Sequence, residues 1–318
     1  MKDYDTDAAA AARDRQAELT KPPGSLGRLE ELAIFMAGWQ GRARPRIERA
    51  QALVFAGNHG ICDQGVNPFP TEVTAQMVAN FQNGGAAINQ LCRLAQADLR
   101  VIAMDLDRPT RDFTKGMALE TDDLIASIQT GKNAVDPQAD VIVLGEMGIG
   151  NSTVAAALAA ATFGGSAEDW VGPGTGADDA IMANKLRAVS AGLKRHKGAA
   201  TAASILGSYG GREQAAICGA VIRARELGIP VILDGFICSA AAGVLLVNDK
   251  QALDHCLIGH VSAEPGHQRL IAVMGKQPVV GLEMRLGEGS GAAVALLVLR
   301  AALECHNGMA TFAEAGIG

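Results

Sequence analysis

The sequence predicts an α/β protein: a parallel, Rossmann-like sheet covered by helices on both faces, with a small helical subdomain built from the N- and C-terminal segments. Three observations predict it. Short apolar runs of strand length recur along the chain and alternate with long Ala-rich segments of helical period, the pattern that builds a parallel sheet. The runs are apolar at successive positions, as strands buried on both faces are. Aromatics make up only 4% of the 318 residues while glycines number 38, a composition suited to close helix-on-sheet packing rather than to a β-sandwich.

The elements follow in order. The first fifty residues carry two charged amphipathic segments split by Lys21-Pro22-Pro23-Gly24-Ser25, where proline forbids a continuous helix. Strands are predicted at 52–56, 101–104, 141–144, 230–233, 256–258 and 279–282, and helical segments at 71–96, 152–161, 178–197, 212–227 and 239–246. The 178–197 helix is well marked, with Asp178 and Asp179 in its first turn and Lys194, Arg195 and Lys197 in its last; both ends suit the helix dipole. A last helix, 290–306, is expected to pack with the N-terminal segments. This gives a helical subdomain of residues 1–48 and 290–318 and a large α/β domain of residues 49–289. No internal repeat and no low-complexity linker interrupts the chain.

Composition excludes several function classes. At 32.8 kDa with 48% hydrophobic residues the chain can bury a large core. Its net charge of -6 is mild and dispersed, which together with the scarcity of aromatics argues against nucleic-acid binding. Cys62, Cys92, Cys218, Cys238, Cys256 and Cys305 form no CxxC pair and read as buried thiols of a reducing cytosol. The charged N-terminus lacks the apolar core of a secretory signal. No apolar run approaches the ~20 residues of a membrane-spanning helix, and a cytoplasmic location is expected.

Chemistry-bearing residues cluster just past the predicted strand C-termini: Gly57-Asn58-His59-Gly60, Gly145-Glu146-Met147-Gly148, Asp234-Gly235 and His260-Val261-Ser262. In an open α/β sheet that edge binds ligands. Three turns are glycine-rich: 145–153, 172–176 and 287–291. Amides in such turns hold phosphate without a lysine. The first fails the P-loop pattern, having no Lys after its last glycine, and the dinucleotide pattern, since Met147 stands where the second glycine belongs. Asn151, Ser152 and Thr153 open the next helix, which suits N-capping as well as a phosphate monoester or ribose. Glu146 and Glu288 lie among glycine and apolar neighbours, where a carboxylate's proton affinity rises and general acid/base work becomes possible. The pattern points to a phosphorylated small molecule and acid/base chemistry on a neighbouring group. His59, His255, His260 and His267 match no zinc spacing, and neither metal nor cofactor is expected. Asp178-Asp179 lacks the leading hydrophobic strand of a diphosphate site and reads as a helix start.

Read together, KPPGSLG (21–27), AGNHG (56–60), PTEVTAQMV (70–78), GEMGIGNST (145–153), GPGTG (172–176), DGF (234–236), GHVSAEPGH (259–267) and RLGEGSGAA (285–293) resemble the nicotinate mononucleotide:5,6-dimethylbenzimidazole phosphoribosyltransferases, the CobT family. The resemblance spans nearly the whole chain in order. It implies transfer of ribose 5-phosphate from nicotinate mononucleotide to a benzimidazole nitrogen, giving α-ribazole 5'-phosphate and nicotinate in cobalamin lower-ligand synthesis. By similarity Glu288 is the general base, and Glu146 and Lys185 lie near the ribose phosphate, with Lys185 a charge partner for the phosphate or for Glu146. Gly148, Gly150, Asn151, Ser152, Gly174, Thr175 and Gly176 would hold phosphate and ribose. Pro68, Phe69, Gln76, Met147 and Leu286 would line the slot for the base. Pro68, Phe69 and Met147 depart from the Ser, Tyr and Leu of some members, which bears on base selectivity rather than reaction type. The resemblance also implies a homodimer with helical terminal segments at its interface.

Two other readings compete. A metal-dependent hydrolase using His59, His260 and His267 would lose activity to chelators. A catalytically silent regulator would bind nicotinate mononucleotide yet release no nicotinate.

Overall fold

The six apolar runs become strands in the computed structural model, which describes residues 2–317: β1 (Ala50–Ala56), β2 (Ala97–Ala103), β3 (Val141–Met147), β4 (Val231–Leu233), β5 (Cys256–His260) and β6 (Pro278–Val280). All pair in parallel in the order β2-β1-β3-β4-β5-β6. Register puts Phe55 beside Glu146, Leu144 beside Leu233 and Leu233 beside Ile258. Every strand therefore points its C-terminus at one edge. The last strand is shorter than its apolar run: β6 stops at Val280 and residues 281–287 continue without regular structure.

The helices are α1 (Thr6–Glu18), α2 (Arg28–Gln40), α3 (Glu72–Gln82), α4 (Ala87–Ala95), α5 (Thr121–Ala134), α6 (Asn151–Phe163), α7 (Asp179–Arg195), α8 (Ala202–Tyr209), α9 (Arg212–Leu227), α10 (Phe236–Gly243), α11 (Pro265–Met274), α12 (Ser290–Gly308) and α13 (Phe312–Ala315). The helical segment predicted over 71–96 is two helices, not one. Gly84 at φ 75 breaks it, since a left-handed residue cannot continue a right-handed helix. Asp178 is the N-cap of α7, accepting the Ile181 N–H at 2.8 Å. By contrast α6 is capped by Gly150 at φ 87, which frees the side chains of Asn151 and Ser152 for other partners.

Alternation along each strand sends side chains to opposite faces. Ala52, Val54, Val143, Ile232 and Leu257 pack against α2, α4 and α12, while Leu53, Phe55, Leu144, Leu233 and Ile258 pack against α9 and α10. A third apolar cluster joins α6, α7 and α8 around Trp170 and Tyr209. Each fully buried Leu contributes about 1.5–3 kcal/mol, so the two faces dominate stability.

Helix α5 covers α9 at unusually close range. An added Cβ on Gly131 would stand 1.8 Å from the Ala216 carbonyl oxygen, and one on Gly219 would stand 2.0 Å from that of Ile128. At the chain ends, α1 packs on α2 and α2 on α12. Arg15 donates to the carbonyls of His306 at 2.8 Å and Met309 at 3.0 Å, placing a cation at the C-terminus of α12, where the dipole favours it. Helix α12 itself lies against β3, β4, β5 and β6.

Candidate active site

A cleft opens at the strand-end edge, walled by the segments that follow β3, β4 and β5, by Pro68 and Phe69 after β1, and by the turn at 285–287. Counting its mouth it holds about 900 Å³, within the range of small-molecule sites. The loop directly after β1 is absent from this wall: His59 sits behind Gly148, whose added Cβ would lie 2.9 Å from His59 Nε2. Of the four strand-end loops singled out by sequence, three reach the cleft.

The acids come first. Glu146, at the end of β3, is buried in the wall and takes a hydrogen bond from Asn151 Nδ2. Burial pushes its proton affinity well up, and the nearby charges of Asp234, Glu213 and Glu288 push it further. Asp234, at the end of β4, also faces the cleft. It accepts the Gly289 N–H at 3.1 Å and the Ala292 N–H at 2.8 Å, so it caps α12 from a distant part of the chain. Burial raises its pKa to about 7, against the lowering effect of those amides.

Glu288 is brought to this cluster but not to the cleft wall. It is buried, its backbone sits at φ 65, and its N–H donates to the Glu146 carbonyl at 3.2 Å. Its carboxylate takes the Ile88 N–H at the start of α4, leaving Oε2 without a partner among the described residues. Burial, then the charge of Asp234, raises its proton affinity. The turn carrying it is pressed onto the sheet: an added Cβ on Gly145 would stand 2.4 Å from Gly289 N and 2.6 Å from the Glu288 carbonyl carbon. Only glycine permits that approach.

The phosphate candidates divide. Gly148, Gly150, Asn151, Ser152, Gly174 and Thr175 stand in the wall, whereas Gly176 lies outside it and is exposed. Lys185, buried in α7, reaches in to donate to Ser152 Oγ at 3.0 Å and to the Gly172 carbonyl at 2.7 Å. Burial lowers its pKa, and the carboxylate that opposes this is Glu264, not Glu146. Glu264 accepts the Gly174 N–H and has its own proton affinity raised by burial. Hence one amide of the glycine turn is occupied by a carboxylate.

Among the base-slot candidates, Pro68, Phe69, Met147 and Leu286 line the cleft. Phe69 at 47% and Leu286 at 51% exposure form apolar lips at its mouth. Gln76 is not there; it lies on the exposed face of α3.

Sequence reasoning gave several wall residues no role in the transfer: Asp234, His260, Glu264, Phe236 and Arg285. All five lie in the motifs that carry the family resemblance, and Asp234 and His260 also stand at strand ends. The three histidines of the hydrolase reading do not converge. His59 faces Glu213, His260 and His267 have ring centres 6.3 Å apart, and no group of three or more His, Cys, Asp or Glu among the described residues is placed to hold a metal ion. Nor is any helix among those residues long and apolar enough to cross a membrane.

A family profile described as phosphoribosyltransferase matches residues 1–317. The nicotinate-nucleotide-dimethylbenzimidazole phosphoribosyltransferase of Rhodobacter capsulatus is 61% identical over 98% of this chain and 93% of its own, and that of Ruegeria pomeroyi is 58% identical over the same shares. The crystal structure of CobT from Thermus thermophilus superposes with a TM-score of 0.92 at 37% identity, covering 98% of this chain and 99% of that one. A cleft with a buried acid cluster on a parallel sheet, and likeness of this extent, lead to one conclusion: the chain belongs to the nicotinate-nucleotide-dimethylbenzimidazole phosphoribosyltransferase family.

Proposed function

We propose that the protein moves the 5-phosphoribosyl group of nicotinate mononucleotide to 5,6-dimethylbenzimidazole or a closely related base, giving α-ribazole 5'-phosphate and nicotinate in cobalamin lower-ligand synthesis. The observation that carries this reading, within that family, is one cleft whose wall holds Glu146, Asp234 and a lysine set against glycine turns, with Glu288 behind Gly287.

The chemistry needs both halves. The bond from the anomeric carbon to the pyridinium nitrogen breaks and its electron pair returns to the ring, so nicotinate leaves without protonation. The acceptor nitrogen forms the new bond and becomes cationic until its N–H proton departs. A base is therefore required, worth about 10²–10⁴-fold. Glu288 takes that role, supported by its unpartnered Oε2 and raised proton affinity. Glu146 and Asp234 face the cleft while Glu288 stands behind Gly287, and the charges of Asp234 and Glu288 both strengthen the hold of Glu146 on a proton. Lys185, Ser152 and the 148–153 turn hold the 5'-phosphate. Phe69, Pro68, Met147 and Leu286 clasp the flat acceptor. The active form is a homodimer built through the helical terminal segments, in the cytosol, where the six free cysteines stay reduced.

The test is nicotinate release from nicotinate mononucleotide plus 5,6-dimethylbenzimidazole in EDTA, with folded Glu288→Gln alongside. Product from wild type and almost none from the variant is expected. No product with any benzimidazole, purine or phenol would end the transferase reading. Light scattering on the purified protein checks the dimer.

A further inference from the structure

One acid of the cleft wall stands apart from Glu146, Asp234 and Glu288. Glu264, the last residue before α11, is 7% exposed, and the turn at 172–176 makes room for it. An added Cβ on Gly172 would stand 2.2 Å from Glu264 Oε2, so only glycine lets the carboxylate lie there. The same Gly172 gives its carbonyl to Lys185 Nζ at 2.7 Å, and an added Cβ on Gly174 would stand 3.2 Å from Ser152 Oγ and 3.3 Å from that nitrogen. Glu264 thus borders the corner of the cleft where lysine, serine and glycine turn meet.

Its place is fixed by its neighbours. Ser262 donates its N–H to His267 Nδ1 at 2.9 Å, and Ser262 Oγ accepts the Glu264 N–H at 3.3 Å. Ala263 donates to the Met284 carbonyl at 3.1 Å. Gly266 is pressed onto the chain beneath, where an added Cβ would stand 2.5 Å from the Trp170 carbonyl oxygen. A side chain on so firmly held a loop is preorganised. Its acceptor capacity is nevertheless little used. A carboxylate offers about four lone-pair sites; Glu264 takes the Gly174 N–H, and Oε2 has no hydrogen-bond partner among the described residues. An unfilled buried acceptor is costly, so a ligand that fills it binds more tightly.

The chemistry of a mononucleotide selects what fills it. The 5'-phosphate and the nicotinate carboxylate are acceptors that repel a carboxylate, and the pyridinium ring has no N–H. Only the two ribose hydroxyls donate. With the phosphate at Ser152 and Lys185 and the anomeric carbon beside Glu146 and Asp234, C3', which adjoins the carbon bearing the phosphate arm, comes nearer Glu264 than C2', which adjoins the reacting carbon.

We propose that Glu264 is a substrate-binding residue that accepts a hydrogen bond from the ribose 3'-hydroxyl and makes the enzyme reject a nucleotide lacking it. The inference rests on the reading that the cleft takes nicotinate mononucleotide with its phosphate at the glycine turns.

The test is nicotinate release from nicotinate mononucleotide and from its 2'-deoxy and 3'-deoxy forms, with 5,6-dimethylbenzimidazole saturating, for wild type, Glu264→Ala and the near-isosteric Glu264→Gln, each checked for folding by thermal melting. Wild type should lose ~10–100-fold in kcat/KM on the 3'-deoxy nucleotide, the range of a hydrogen bond to a charged group. Glu264→Ala should lose a similar factor on the ribonucleotide and then treat these two substrates alike, as partners in one contact do. Glu264→Gln keeps an acceptor oxygen without the charge, should show a reduced preference, and carries the test if Glu264→Ala does not fold. The ratio of ribonucleotide to 2'-deoxynucleotide should be the same in all three proteins. A carboxylate that merely supports the turn lowers all three nucleotides by one factor, and that result overturns the inference. So does a preference lost for the 2'-hydroxyl instead, or a wild type that accepts the 3'-deoxy nucleotide as readily as the ribonucleotide, whether or not the variants fold. Failure of wild type to release nicotinate from any of the three overturns the transferase reading, and this inference with it.

Discussion

Replacing Gly145 by Ala tests whether the contact between β3 and the 287–289 turn places the acids. The new Cβ would stand 2.4 Å from Gly289 N and 2.6 Å from both the Glu288 carbonyl carbon and Gly289 Cα. Ordinary carbon contacts begin near ~3.5 Å, so the turn must retreat by about 1 Å. Its neighbours here are backbone atoms, which do not swing aside as a long side chain does. Retreat strains two hydrogen bonds, Glu288 N–H to the Glu146 carbonyl and Gly289 N–H to Asp234. Overpacking costs ~1–3 kcal/mol, and a weakened buried hydrogen bond adds about 1–3 kcal/mol. Urea unfolding should accordingly report a loss of ~2–6 kcal/mol. A reacting group misplaced by 1 Å costs ~10²-fold, so steady-state nicotinate release should fall by that order in kcat. Wild-type stability and turnover in Gly145→Ala would falsify the view that this approach fixes the turn. Lost stability with intact kcat would show that the position of Glu288 is not critical.

Three further outcomes follow from geometry already described. Gly219→Ala drives a methyl into the Ile128 carbonyl across the α5–α9 crossing and should cost more than ~3 kcal/mol, read as a lowered melting temperature, with KM values unchanged in whatever folds. Lys185→Met removes the donor to Ser152 Oγ and the Gly172 carbonyl. KM for nicotinate mononucleotide should rise ~10–100-fold, the equivalent of a charged hydrogen bond, with the acceptor's KM nearly constant; equal rises in both would place the lysine elsewhere. His255 is buried, its Nε2 3.1 Å from the Val221 carbonyl, and burial holds its pKa down to about 3. The unfolded chain takes up that proton near ~6.5, so the stability His255 confers is complete above that pH and is lost as pH falls, at ~1.4 kcal/mol per unit. His255→Phe should be weaker than wild type at pH 8 and draw level as the solution is acidified; a constant difference across pH 8 to 5 would exclude a neutral buried histidine.

The parts of this molecule that are legible in sequence are those governed by local rules. Each strand shows as an apolar run, the α7 cap as Asp178, and the ligand edge as glycines and acids past strand ends. What escaped has a non-local cause. Helix α5 was hidden by its polar outer face and by Gly131, which reads as a helix breaker until α9 is known to lie against it. Asp234 holds an amide 58 residues away, a partnership that no spacing reveals. Glu213 looks like any acid in a first helical turn, and only the fold encloses it. Gln76 matched its motif, and the register of α3 leaves it exposed. The break at Gly84 was visible and outweighed by the helical periodicity on either side.

The place of α12 bears on how the chain reaches this structure. The helix covers β3, β4, β5 and β6 on one face and supplies Leu296, Leu299 and Leu303 to that face's core, while α2, made some 250 residues earlier, packs on it. During synthesis the part of this face over β3 to β6 thus stays without its helix until the strands beneath it are all complete, and the two leading helices wait for a partner that does not yet exist. Contacts of such long sequence separation make folding slow and expose apolar surface meanwhile. The face formed by α5, α9 and α10 can close first, so hydrogen-exchange labelling during refolding should find α9 protected before α2. The turn carrying Glu288, which leads directly into α12, is then among the last parts of the molecule to order: most of the fold is in place before the cleft is complete.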